Sequence, residues 1–170
     1  MDTELHKIYQ EIALTVNEII PEKWDKVYIY AEVQEDVSKV GFFYFPEGKD
    51  KPINVLDIAG LFDIDEEYVD DLRYKIDDCF EDLWNLFVKN GQDVWTNLTF
   101  ILESSGEFKI DYDYEDLTDV DDFERQIIWK YKYLGIEPSV ETKRARQIFE
   151  NSSHIQKVRR LDYRKNARGK

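Results

Sequence analysis

The chain holds one cysteine, two histidines, seven glycines and four prolines in 170 residues. A single thiol, Cys79, excludes an intrachain disulfide, and with only His6 and His154 beside it there is no Cys/His set for a structural zinc site. Both histidines lie near the chain ends, so a nucleophile with a base beside it is hard to assemble. His6 reads as a boundary residue next to Leu5, and Cys79 as a small packing residue. The glycines are scattered, without the spaced cluster of a P-loop or a dinucleotide fingerprint, which disfavours nucleotide chemistry. No run reaches the roughly 18 apolar residues of a membrane span. The start, Met1-Asp-Thr-Glu-Leu-His, lacks the basic and apolar stretches of a signal peptide. These absences predict a soluble, cytoplasmic protein whose stability comes from packing.

Apolar and acidic side chains are plentiful. Hydrophobic residues make up 42% and aromatic residues 15% of the chain, enough for one domain's core despite a net charge of -14. The charge is uneven. Residues 1–138 carry 13 basic and 34 acidic side chains, whereas 139–170 carry 10 basic and 3 acidic. The sequence therefore predicts an acidic α+β domain over 1–138 and a basic helix and tail over 139–170. An acidic body is repelled by phosphate backbones, so a charged partner for it should be basic.

Leu5, Ile8, Ile12, Val16 and Ile19 recur at helical spacing and Pro21 stops them, predicting a first helix over 3–20. Val27 to Gln34 alternates as a strand, Val40 to Phe45 pairs with it after the turn at 35–38, and 46–52 is a loop. A long helix follows over 65–89, capped by Asp63 or Asp65, with Val69, Leu72, Ile76, Phe80, Leu83 and Phe87 inward and Asn90-Gly91 as its stop. A hairpin from Trp95 to Glu115 keeps one face in the core only if Ser104-Ser105-Gly106 is a three-residue loop. Leu102 then opposes Phe108, Phe100 opposes Ile110, and Leu98 opposes Tyr112. A helix over 123–134 ends at Gly135, and a short helix is predicted over 140–150, with a frayed terminus from Asn166. The expected fold is α+β: an antiparallel sheet built from two β-hairpins with helices on one face, in the order α-β-β-α-β-β-α-α.

Asp111-x-Asp113-x-Glu115 projects three carboxylates from one side of a strand, the residue type that hard cations take, so a metal-dependent hydrolase is one reading. The stretch 111–122 fails as a calcium loop, because Asp116 stands where glycine is needed and Asp122 where glutamate is usual. Arg144, Arg146, Lys157, Arg159, Arg160, Arg164, Lys165, Arg168 and Lys170 allow a second reading as a nucleic-acid-binding module. Without a recognition helix or aromatic-lined sheet attached, they read better as a solvated extension or an intramolecular complement to the acidic body. The third reading is a protein interface, in which rows of carboxylates occupy a partner's cationic cleft. Its candidate contacts are Glu67, Asp70, Asp71, Asp77, Asp78, Asp111, Asp113, Glu115, Asp116, Asp119, Asp121 and Asp122. Tyr68, Tyr74, Tyr112 and Tyr114 are possible apolar anchors among them.

Four segments carry a resemblance: Val27-Tyr-Ile-Tyr-Ala-Glu-Val, Trp95-Thr-Asn-Leu-Thr-Phe-Ile-Leu-Glu-Ser-Ser-Gly, Phe108-Lys-Ile-Asp-Tyr-Asp-Tyr and Glu124-Arg-Gln-Ile-Ile-Trp-Lys-Tyr-Lys-Tyr-Leu-Gly. With them the chain, from its first helix to about Gly135, resembles the YezG family of bacterial immunity proteins. The resemblance implies an antitoxin that binds and neutralises a secreted polymorphic toxin, typically a nuclease of the type VII secretion class, inside the producing cell. The expected partner is the basic C-terminal domain of that cognate toxin. The resemblance also implies no enzymatic activity, no cofactor and no catalytic residues. The hairpin turn and the core account for Trp95, Ser104, Ser105, Gly106 and Trp129, which match the family pattern.

Overall fold

The computed structural model describes residues 1–35 and 37–168 and divides them into two compact units, Met1–Asp116 and the chain from Leu117 onward. The predicted turn residue Asp36 and the terminal Gly169 and Lys170 lie outside the described residues, as does the His154 side chain.

The first unit opens with α1 (Asp2–Ile19), where Ile12, Val16 and Ile19 are buried and Leu5 and Ile8 pack beside them. Strands β1 (Trp24–Val33) and β2 (Ser38–Pro46) pair antiparallel, and β1 is also paired on its other side. The stretch 53–64, between the loop over 46–52 and the long helix, holds structure to which the sequence assigned no element. It contains a two-residue edge strand β3 (Ile53–Asn54), a single 3-10 turn (Val55–Asp57) and a five-residue helix α2 (Ile58–Phe62). These elements are too short to show a period. They form because Val55 and Ile58 reach the core and the Asn54 carboxamide oxygen accepts the Leu56 amide at 3.0 Å.

The long helix α3 (Glu66–Lys89) is capped by Asp65, whose carboxylate accepts the Glu67 amide at 3.1 Å. Asp63 takes a different part, closing α2 in the left-handed conformation. Val69, Ile76, Phe80 and Leu83 are buried, Leu72 and Phe87 pack against them, and Gly91 turns the chain out with φ 65°. Strands β4 (Asn97–Glu103) and β5 (Phe108–Asp113) pair in the expected register, Leu102 to Phe108, Phe100 to Ile110 and Leu98 to Tyr112. Gly106 takes φ 93° in the three-residue loop and donates its amide to the Glu103 carbonyl at 2.9 Å. The sheet order is β3-β2-β1-β4-β5. Val27, Ile29, Ala31, Phe42, Leu98 and Phe100 form the face that shares a core with α1 and α3. The fold is α+β with a five-stranded antiparallel sheet, as expected, with β3 and α2 added.

The second unit holds α4 (Asp122–Trp129), continued by a π-helical turn (Lys130–Leu134) that Gly135 ends with φ 69°. Two more helices follow, α5 (Lys143–Asn151) and α6 (Ser153–Arg168). The frayed end expected from Asn166 is replaced by helical backbone through Arg168. Ile127, Ala145, Phe149 and Ile155 form this unit's own small core.

Candidate interaction surface

Helix α3 turns its apolar side to the sheet, and the opposite side therefore collects the polar residues. Glu67, Asp71, Asp78, Glu81 and Asp82 are exposed, while Asp70 and Asp77 lie half-buried at the margin. The positive charge on this helix does little to offset them. Arg73 bridges Asp70 at 3.2 Å, an exposed pair of the kind worth less than about 1 kcal/mol. Glu81 accepts a hydrogen bond from the Ser38 hydroxyl at 2.9 Å.

The crowding changes proton affinities. Burial, first of all, raises the Asp77 carboxyl to about 6; Arg73 opposes the shift, and Glu81 and Asp78 add to it. Burial also raises Asp82, and Asp78, Glu11 and Glu81 reinforce that rise. Burial pushes the Cys79 thiol up to about 12, so it stays a protonated packing group at neutral pH. A carboxyl whose folded-state value exceeds its unfolded value stabilises the fold below the unfolded value, and the benefit is lost as pH rises through the folded one. The contribution of Asp77 to stability should therefore decline from about pH 4 to about pH 6. We expect Asp77→Asn to remove that decline and to raise stability at pH 7 by about 1 kcal/mol, after allowance for screening. Urea unfolding at pH 4.5 and pH 7 checks it; an unchanged pH profile refutes it.

The acids of the second segment are less uniform than their sequence spacing. Asp111 is half-buried and pairs with Lys109 at 3.4 Å. Asp113 is exposed but turns its carboxylate back to accept the Glu115 amide at 2.9 Å, and β5 ends there. Asp111 and Asp113 thus lie on β5 and Glu115 beyond its end, where the Thr96 hydroxyl donates to the Glu115 carbonyl at 2.7 Å. Glu115 and Asp116 are exposed. In the second unit Asp119 and Asp122 are exposed, whereas Asp121 caps α4 by accepting the Phe123 amide at 3.0 Å and faces Arg144 at 3.8 Å. Among the described residues no group of three His, Cys, Asp or Glu side chains is placed to hold a metal ion.

The tyrosines also divide. Tyr112 packs on Phe87 and Trp95 and its hydroxyl lies 2.9 Å from that of Tyr9, so it belongs to the core margin. Tyr68, Tyr74 and Tyr114 are exposed. On α3 Tyr74 lies one turn from Asp70 and Asp71 on one side and from Asp77 and Asp78 on the other.

Several of the basic residues after Pro138 are engaged within their own unit. Arg146 bridges Glu137 at 2.9 Å and Glu150 at 2.8 Å, and Arg159 bridges the same two carboxylates at 3.5 and 3.8 Å. Both guanidinium groups lie over the Phe149 ring. The hydrogen bond from Arg146 is the main reason the Glu137 carboxyl sits below its ordinary value. Lys157, Arg160, Arg164 and Lys165 remain exposed along α6. An open depression of about 290 Å³ in this unit is lined by Glu124, Gln147, Ile148, Asn151 and Ser152.

The first unit, then, spreads its carboxylates along a helix and a hairpin end, an arrangement suited to an extended contact. The chain belongs to the YezG-like immunity protein family, whose model matches residues 5–148. It is 39% identical over 147 residues to the immunity protein YezG of Bacillus spizizenii, covering 85% of this chain and 91% of the relative. The Bacillus subtilis protein of the same name is 38% identical over 81% of this chain and 92% of its own length. The type VII secretion system protein EsaG of Staphylococcus aureus is 33% identical over 82% of this chain and 87% of its own. Family membership makes this an immunity protein, a class that acts by binding a cognate toxin. No helix among the described residues is long and apolar enough to cross a membrane. All of α6 and the last turn of α5 lie beyond the family match.

Proposed function

We propose that this protein neutralises a nuclease toxin in the cytoplasm of the producing cell, and that it does so without catalysis, by laying an acidic surface over the toxin's basic cleft. The observation that carries the reading is the imbalance of the first unit, where residues 1–116 hold 29 acidic and 10 basic side chains. Like charges crowded along α3 repel one another, and neighbouring carboxylates add to the rise that burial produces at Asp77 and Asp82. A partner with lysines and arginines arranged for a nucleic-acid backbone would turn that repulsion into attraction and speed the encounter. The contacts are Glu67, Asp70, Asp71, Asp77 and Asp78 on α3, with Asp111, Asp113, Glu115 and Asp116 at the end of the hairpin. Asp119, Asp121 and Asp122 are the candidates on the second unit. A type VII secretion route for the toxin is supported by the name of the staphylococcal relative.

Mixing the protein with its cognate toxin domain should abolish DNA cleavage at close to one-to-one stoichiometry. Cleavage that persists with the complex fully formed overturns direct inhibition.

A further inference from the structure

The short segment between β3 and α3 has a feature the fold does not use. Its inward side is Val55 and Ile58, 1% and 0% exposed, with Phe62 packed beside them. Its outward side is Leu56, Asp57, Gly60 and Leu61, and the two leucines are 62% and 63% exposed. Scattered exposed leucines are ordinary. Here two of them flank a glycine within two helical turns, on a segment fixed at both ends. Asn54 caps its start, and the Ile64 amide closes its end on the Ala59 carbonyl at 3.0 Å.

Gly60 has no internal reason to be glycine. It does not have a positive φ, and a methyl group built on it meets no atom within 4 Å. Glycine inside a helix costs about 1 kcal/mol against alanine. The missing side chain leaves open surface beside the two exposed leucines.

We propose that Leu56, Gly60 and Leu61 form a notch that receives an apolar side chain of a basic polypeptide. The surrounding charge selects that occupant. Residues 52–72 contain seven acidic side chains, Asp57, Asp63, Asp65, Glu66, Glu67, Asp70 and Asp71, and no lysine or arginine. Exposed apolar side chains within so acidic a stretch of chain fit an apolar anchor flanked by lysine and arginine. The proposal rests on the reading of the chain as a toxin-binding protein and makes the occupant part of the toxin's own surface.

The test uses the full chain and the cognate toxin domain, inactivated by substitution. Leu56→Gln with Leu61→Gln removes apolar surface without altering charge, and Gly60→Gln fills the notch with a good helix former. Both variants should melt no lower than about a degree below the parent, and both should bind the toxin domain at least about tenfold more weakly with an unchanged salt slope. Affinities within twofold of the parent in both variants overturn the notch while leaving toxin binding intact. A concentration-dependent dimer of the protein alone, abolished by the leucine substitutions, assigns the notch to a second copy and also overturns it. Failure of the parent chain itself to bind the toxin domain removes the functional reading, and the notch proposal with it.

Discussion

Reversing Glu67, Asp71 and Asp78 to lysine together should weaken the toxin complex by about a hundredfold or more at low salt. Each position is exposed on the outer side of α3, so no buried contact is lost. Each reversal replaces an attraction of about 1 kcal/mol at an interface rim with a repulsion of similar size, which over three sites gives at least two decades. The loss should fall mainly on the association rate, and the dependence of affinity on salt should flatten, since fewer opposite charges remain to be screened. The fold itself should change little. Glu67 sits in the first turn, where its charge favours the helix dipole by about 0.3–1 kcal/mol. Relief of repulsion at Asp71 and Asp78 offsets that loss. Stopped-flow association at two salt concentrations, beside a thermal melt, separates the outcomes. Unchanged kinetics and salt slope would move the contact off α3. The set Glu67→Gln, Asp71→Asn and Asp78→Asn should fall between parent and reversal.

The residues chosen for that test show where sequence reading stops. Periodicity placed α3 and its acidic side, because a 24-residue helix repeats its apolar stripe several times. The same periodicity could not show that Asp65, Asp113 and Asp121 spend their carboxylates on backbone amides. The place of Asp65 before the apolar stripe marked it as one of two candidate caps, whereas Asp113 and Asp121 look in the sequence like any other acid in a charged run. Their partners lie two residues away, and the geometry depends on where a helix begins or a strand ends. For the basic segment the sequence left two alternatives open, solvated charge and an intramolecular complement to acids. Nothing decides between them for Arg146 and Arg159 until Glu137 and Glu150 are brought beside them and Phe149 beneath. α2 and β3 escaped notice because five residues and two residues carry no period. α6 escaped because its sequence is dominated by charge and has few apolar residues to mark a stripe.

The hairpin register was legible because only one alignment keeps Leu98, Phe100 and Leu102 facing apolar partners, and that alignment supports the strongest stability prediction. Phe100 is fully buried on β4. Its ring stacks on Phe108 across the strand pair at 5.2 Å between centroids, meets Phe80 of α3 edge-on at 6.3 Å and lies 6.1 Å from Tyr9 of α1. One side chain thus joins both hairpin strands to both long helices. Phe100→Ala should cost about 3–5 kcal/mol, the transfer free energy of the ring plus the cavity left among three other rings. At this size the loss corresponds to a fall in melting temperature on the order of 10–20 °C. Phe108 is 44% exposed, so Phe108→Ala, which removes the other half of the stack, should cost only about 1 kcal/mol. Chemical denaturation of the two variants side by side gives the comparison. Equal losses would mean that the stacked pair itself, and not burial beneath the helices, holds the hairpin to the core. A loss at Phe100 several times that at Phe108 places the energy where α1 and α3 close over the sheet, and so identifies the rigid support on which the acids of α3 are displayed.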